Sequence, residues 1–326
     1  MTIYGFHASQ EQIAPSQLLR DVQHAEAAGF DAAMSSDHFF PWSERQGHSG
    51  FTFAWLGAAM ASTSFPIGSV CAPGQRYHPA VVAQATATIG EMFPGRYWVA
   101  LGAGQAMNEH ITGDKWLDLE DRRTRLEESA DIIRRLHAGE WIGGHKGFVE
   151  VDEAYLYDRP ETPIPLYATC ITAGSAQRAA KWADGFITLN LPGGGHTEVL
   201  KAYRGAGGRG PAMLQIHLSW AESEKKAQEI AYEQWRTNVF GPPLDQDLPT
   251  PEHFDSAASE VSLRTVLKAV WASSSLTAHT EWIAEASQSF DHIYLHHVGQ
   301  DQAPWLDAAG EHVLPALAED NPTTGA

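Results

Sequence analysis

Eight short extended-type runs, separated by helical stretches, organise this 326-residue chain. They are TIYGF (2–6), DAAMSSD (31–37), PIGSVCA (66–72), RYWVALGAG (96–104), PLYAT (165–169), GFITLN (185–190), MLQIHLSWA (213–221) and FDHIYLHHV (290–298). Strands alternating with helices call for a parallel sheet, and this count, order and length predict an α/β fold, a TIM (β/α)8 barrel with insertions. A single domain is expected over 1–318, with a polar tail over 319–326. A doubly wound sheet would place phosphate-binding glycines after its first strand. GFHAS, at 5–9, holds no such pattern.

The helices carry their own punctuation. The stretch 17–30 ends on Gly29, a natural C-cap, and 78–93 opens with Pro79 in its first turn. Over 119–139, Leu126, Ala130, Ile133 and His137 share one face. A hairpin insertion is expected at 141–157, a Pro- and Asp-rich loop at 241–258, and helices at 260–272 and 277–287.

Composition removes several function classes. Apolar residues make up 43%, ample for a large core. The net charge of −18, with 22 Lys and Arg, excludes nucleic acid and an anionic membrane surface as partners, since phosphate contacts need clustered cations. No apolar run reaches the length of a membrane span. MTIYGFHASQEQ lacks the basic and apolar regions of a signal peptide. Cys71 and Cys170 stand apart, as in a reducing compartment. A cytoplasmic location is expected.

A barrel of this kind works at the C-terminal ends of its strands. The second run ends in Asp37-His38 and leads into Phe39, Phe40 and Trp42. An imidazole there suits proton transfer, and aromatic walls suit a flat ring; a surface salt bridge or a capping aspartate is the plainer alternative. The third run ends in Ser69-Val70, which can be core, and Arg76 beyond it can pair with an acid or close a loop. After the fourth run, GAGQAMNEH (102–110) offers bare backbone at its glycines, then Asn108 and Glu109. Either these form an acid/base set or Asn108 caps a turn. After the fifth run, ATCITAGS (168–175) brings Thr169, Thr172 and Ser175 to a helix start, as an anion site or as ordinary N-capping. YRGAGGRGP (203–211) falls on the opposite face and is a connector. His292, His296 and His297 lack metal-ligand spacing, so no metal is expected. Neither a GxSxG elbow nor a P-loop occurs.

Taken together, SDHFFPW, GHSGFTFAW, RYHPAVVAQA, RYWVALGAGQAMNEHITG and WADGFIT resemble the luciferase-like flavin oxidoreductases. Within them the chain is similar to the deazaflavin (coenzyme F420)-dependent glucose-6-phosphate dehydrogenases and to an FMN-using side branch. The resemblance implies a homodimeric barrel with the redox ring at its mouth and a small organic substrate between the ring and the Trp42/Phe39 wall. By position, His38 moves the substrate proton, Trp42 packs over the reacting centre, and Glu109 sits by the ring. Asp37, Gly104 and Asn108 contact the cofactor. Ser69-Val70 forms a bulge, often a cis peptide, behind the ring. Two departures stand out. TLNLPGGGH (188–196) lacks the lysine that holds a sugar phosphate, and Ile171-Thr172 replace a Gly-Gly pair at the cofactor's phosphate. Hydroxyls there favour FMN, with coenzyme F420 as the alternative. The expected activity is hydride transfer between substrate and ring, or monooxygenation. A flavin-binding protein without turnover is the reading from another class.

Overall fold

The computed structural model describes residues 1–320. In chain order its strands are β1 (Ile3–Ala8), β2 (Ala32–Ser36), β3 (Ile67–Cys71), β4 (Tyr97–Leu101), β5 (Ile142–His145), β6 (Val151–Ala154), β7 (Leu166–Thr169), β8 (Phe186–Leu189), β9 (Ala212–Trp220), β10 (Trp271–Ser273) and β11 (His292–His297). Eight of them close a parallel barrel in the order β1-β2-β3-β4-β7-β8-β9-β11, with β11 pairing back onto β1. These are the eight runs expected. β5 and β6 form the antiparallel hairpin that interrupts the fourth crossover.

Side chains alternate along each strand. Tyr4, Phe6 and Ala8 of β1 face the surrounding helices, and Ile3 faces inward. Helix Leu119–His137 shows why the crossovers form. Asp118 caps it by accepting from the amides of Glu120 and Asp121, each at 3.0 Å. Arg134, Arg135 and His137 in its last turn complement the helix dipole, while Leu126, Ala130 and Ile133 pack on the sheet.

Inside the barrel, the lower layer is a plug of aromatic rings. Trp98 meets Tyr167 at 5.5 Å and Tyr294 at 5.7 Å between centroids. The plug fits because two neighbours have no side chain. A Cβ on Gly68 would lie 1.9 Å from the Trp98 ring, and one on Gly5 would lie 2.4 Å from Tyr294.

Three expectations are corrected. The helix over 260–272 is one turn, Leu263–Val266, followed by β10, which pairs with Leu218–Trp220 of β9. β9 outruns β8, whose pairing stops at Gln215, and the free ladder groups beyond that point recruit Trp271–Ser273. The loop over 241–258 holds two short helices, Leu244–Asp247 and Pro251–Ala257. The last helix, Leu314–Asp320, runs into the segment expected as a polar tail; the rest of that segment, 321–326, lies outside the described residues.

Candidate active site

A cavity of about 380 Å³ opens at the C-terminal mouth of the barrel. It reaches down to the inward-facing His7, Gln215, His217 and His296, and sideways to the helices at 119–137 and 173–179. His38 and Glu109, from the tips of β2 and β4, both border it. The two tips are tied together, since the amide of Phe39 donates to Asn108 Oδ1 at 2.8 Å.

His38 has a partner that the sequence did not announce. Its Nδ1 is hydrogen-bonded to Glu11, which follows β1. Glu11 is 3% exposed and also accepts from Ser36 Oγ at 2.7 Å and Ser9 Oγ at 2.8 Å. Burial alone would raise its pKa. The charge and hydrogen bond of His38, with help from His7 and Ser36, overcome that and hold it down at about 2. Glu11 is therefore a standing anion that accepts the Nδ1 proton. Nε2 is left as the ring nitrogen free to exchange a proton with a ligand. Trp42 stands edge-on to the imidazole with centroids 5.3 Å apart, and its other side meets Phe254.

Beside this pair lie two buried carboxylates and one guanidinium. Arg76 Nη2 donates to Asp37 Oδ2 at 2.7 Å and to the Asp37 carbonyl at 2.8 Å. The Arg76 amide donates to Glu109 Oε2 at 2.6 Å. Of the two sequence readings of Arg76, pairing with an acid is the one observed. Burial pushes the Glu109 carboxyl above its ordinary range, and Arg76 only partly opposes this. Two oxygens, Asp37 Oδ1 and Glu109 Oε1, are buried without a hydrogen-bond partner among the described residues, though both residues line the cavity. Buried acceptors left open in this way call for donors from a ligand. Gly104, at φ +82°, completes a cradle: a Cβ there would lie 3.1 Å from the Glu109 side chain. A flat ring with N–H groups on its edge fits this set.

The other candidate residues divide. Val70 points inward and lines the cavity. Ser69 faces the other way and bonds Tyr97 Oη at 2.6 Å, so its side chain does not reach a ring. No bulge or cis peptide forms at Ser69-Val70, because both residues sit in regular register with Ser35-Ser36 and Val99-Ala100. Among the described residues the only cis peptide is Pro242–Pro243. Asn108 does not cap its short helix; Gln105 occupies that position. Thr169, Thr172 and Ser175 line the cavity, but Thr172 and Ser175 form a capping box. Their hydroxyls are spent on each other and on backbone groups, so of the two sequence readings the N-capping one is observed. His296 points inward, whereas His297 stacks on Trp305 outside the barrel. No group of three or more His, Cys, Asp or Glu among the described residues could hold a metal ion. No described helix is long and apolar enough to cross a membrane.

Sequence reasoning missed Glu11, His7 and His217. Glu11 sits in a polar stretch, ASQEQIAP, that reads as loop. Only its place, just past a barrel strand on the working face, could have marked it.

The barrel mouth thus brings an imidazole and two buried carboxylates to one cavity, an arrangement suited to proton and hydride chemistry. Residues 3–303 match the luciferase-like monooxygenase family, and the chain belongs to that family. It is an oxidoreductase. It is 33% identical to an F420-dependent glucose-6-phosphate dehydrogenase of Nakamurella multipartita, over 96% of each chain. Among solved structures, it superimposes on an F420-dependent secondary alcohol dehydrogenase in complex with an F420-acetone adduct. That match has a TM-score of 0.88 and 28% identity over 97% of this chain and 99% of the other. Riboflavin lyase (RcaE), solved with a modified FMN, shares the fold at 14% identity and a TM-score of 0.76, over 98% of this chain and 92% of that one.

Proposed function

We propose that this protein is a coenzyme F420-dependent dehydrogenase interconverting a small alcohol and its carbonyl compound. One observation carries the reading: at the cavity wall, His38 is backed by an ionised, fully buried Glu11. The bound redox ring supplies a two-electron hydride acceptor. Asp37, Glu109, Asn108 and the bare backbone at Gly104 would hold its polar edge, with Val70 behind it. With the ring bound, His38 Nε2 would take the proton of the substrate hydroxyl. Glu11 stabilises the imidazolium that results, because opposite charges close together in a buried site attract strongly. Glu109, raised by burial, holds a proton more readily than an exposed glutamate and would serve as a proton donor at the ring's polar edge. Trp42 packs edge-on against the His38 imidazole, so it would help keep water from the reacting centre.

The names of relatives matching nearly the full length support coenzyme F420. The sequence had favoured FMN through hydroxyls at a helix start, and the capping box removes that advantage. Titrating purified protein with each cofactor and following absorbance tests the choice. Saturable binding of coenzyme F420, then bleaching on adding an alcohol, is the expected result. Saturation by FMN alone would overturn it.

We further propose a homodimer in the cytoplasm. Phe51, Val81 and Met92 leave an exposed apolar patch by the helices at 52–62 and 79–92, and both cysteines are free and buried. Light scattering at the mass of one chain would contradict the dimer.

A further inference from the structure

Three imidazoles at the cavity floor make no hydrogen bond to His38 or Glu11, although His7 acts on Glu11 through its charge. His7 and His296 stack at 4.2 Å between centroids, and His217 meets His296 edge-on at 5.5 Å. Their exposures are 3%, 3% and 7% for His7, His296 and His217. His296 is fully engaged: Nε2 lies 2.7 Å from Gln12 Oε1, and Nδ1 lies 3.3 Å from Gln215 Nε2. The same Gln215 amide reaches His217 Nε2 at 3.0 Å. An amide nitrogen donates, so His217 Nε2 accepts and its proton sits on Nδ1. His7 Nδ1 is buried without a partner among the described residues. The floor thus keeps hydrogen-bonding capacity at His7 and His217 that the protein does not use.

It is also uncharged. Burial pushes His7 down to about 4 and His217 to about 3, and holds His296 well below the ordinary histidine value. The cavity lining contains no lysine, and its arginines are Arg123 and Arg178. Both belong to the helices at the lateral end, and Arg178 is already bound to Glu127 at 2.6 Å and to Glu120. Of the charged groups that act on His7, the Glu11 anion is the stronger and His38 the weaker. A phosphate placed here would lose its hydration against a carboxylate, with no lysine or arginine beside it to offset the cost.

We propose that His7 and His217 form a recognition site for a second hydroxyl of an uncharged substrate, so that the protein acts on neutral polyhydroxylated alcohols and not on phosphate esters. This rests on the dehydrogenase reading above and narrows it to a substrate class. His296 acts through His7 and His217 as a positioning residue.

The test uses cofactor-loaded protein with three probes: glucose, glucose 6-phosphate and 2-propanol. The kcat/KM for glucose should exceed that for glucose 6-phosphate by roughly tenfold or more, the scale of an uncompensated buried charge or lost hydrogen bond. His7→Phe and His217→Phe should each raise KM for glucose about tenfold while kcat changes less than about threefold, since they remove binding and not proton transfer. His7→Asn keeps a hydrogen-bonding group and should recover most of the affinity, which separates recognition from a folding defect. Preference for the phosphate ester, turnover of 2-propanol without glucose, or KM values that ignore both substitutions would each overturn the inference. If none of the three probes bleaches the bound cofactor, the dehydrogenase reading itself fails and takes this inference with it.

Discussion

The lower and upper halves of the barrel interior are built from the same strands and behave as opposites. Below, Trp98, Tyr167 and Tyr294 interlock against Gly5 and Gly68, with no room for a methyl group. Above, His7, Ser36, Gln215, His217 and His296 surround open space, and buried polar atoms stand unpaired. Moving two residues along β1, from Gly5 to His7, crosses from one regime to the other. The lesson concerns division of labour. Packing at the bottom fixes strand positions, and that rigidity lets the top hold orphaned carboxylate oxygens and neutral histidines at a cost in stability.

The largest expected effect comes from the charges at the mouth. Arg76→Met would leave Asp37 and Glu109 buried beside each other with only the more distant charge of Arg125 acting on Glu109. Loss of one partner of a buried ion pair costs about 3–5 kcal/mol, so the urea midpoint should fall steeply at pH 7. Adding Asp37→Asn should recover part of it. A loss too small to measure would mean that water already screens this cluster. Next comes the plug. Gly68→Ala forces a methyl group into the Trp98 ring and should cost about 3 kcal/mol through overpacking. The folded fraction should keep its cofactor affinity, because Gly68 does not border the cavity. If affinity fell in step with stability, the two halves would not be separable.

A smaller effect distinguishes the halves by pH. His7 and His217 fall from an ordinary 6.5 to about 4 and about 3 in the folded protein. Between pH 6.5 and 4 the unfolded chain binds protons that the folded chain refuses. Stability therefore drops as pH falls through this window, by up to roughly 1.4 kcal/mol per pH unit for each such histidine. Glu11 acts in the same direction lower down, losing its contribution as pH falls from its ordinary 4.5 toward 2. Urea midpoints at pH 7, 6 and 5 should show the decline, and His7→Gln should make it shallower. A flat profile in the parent protein would show that the floor histidines are not buried in the neutral state.

Much of this was legible in the sequence, for physical reasons. Strand period and helix caps are local, so the eight barrel strands and the hairpin could be read directly. β10 could not, because Trp271–Ser273 becomes a strand only where β9 outruns β8. The barrel rule placed His38 and Glu109 on the working face, and both border the cavity. It could not pair His38 with Glu11, a contact between residues 27 apart in the chain. Nor could a hydroxyl in a sequence declare its use. Thr172 and Ser175 serve the helix cap, and Ser69 serves Tyr97.

The proton-transfer role of His38 is most directly tested by the single-turnover rate of cofactor reduction by glucose or 2-propanol in His38→Ala against the parent protein. A fall of at least ~100-fold, the usual worth of a positioned general base, is predicted, with cofactor affinity intact. An unchanged rate in a variant that still binds the cofactor would contradict the account.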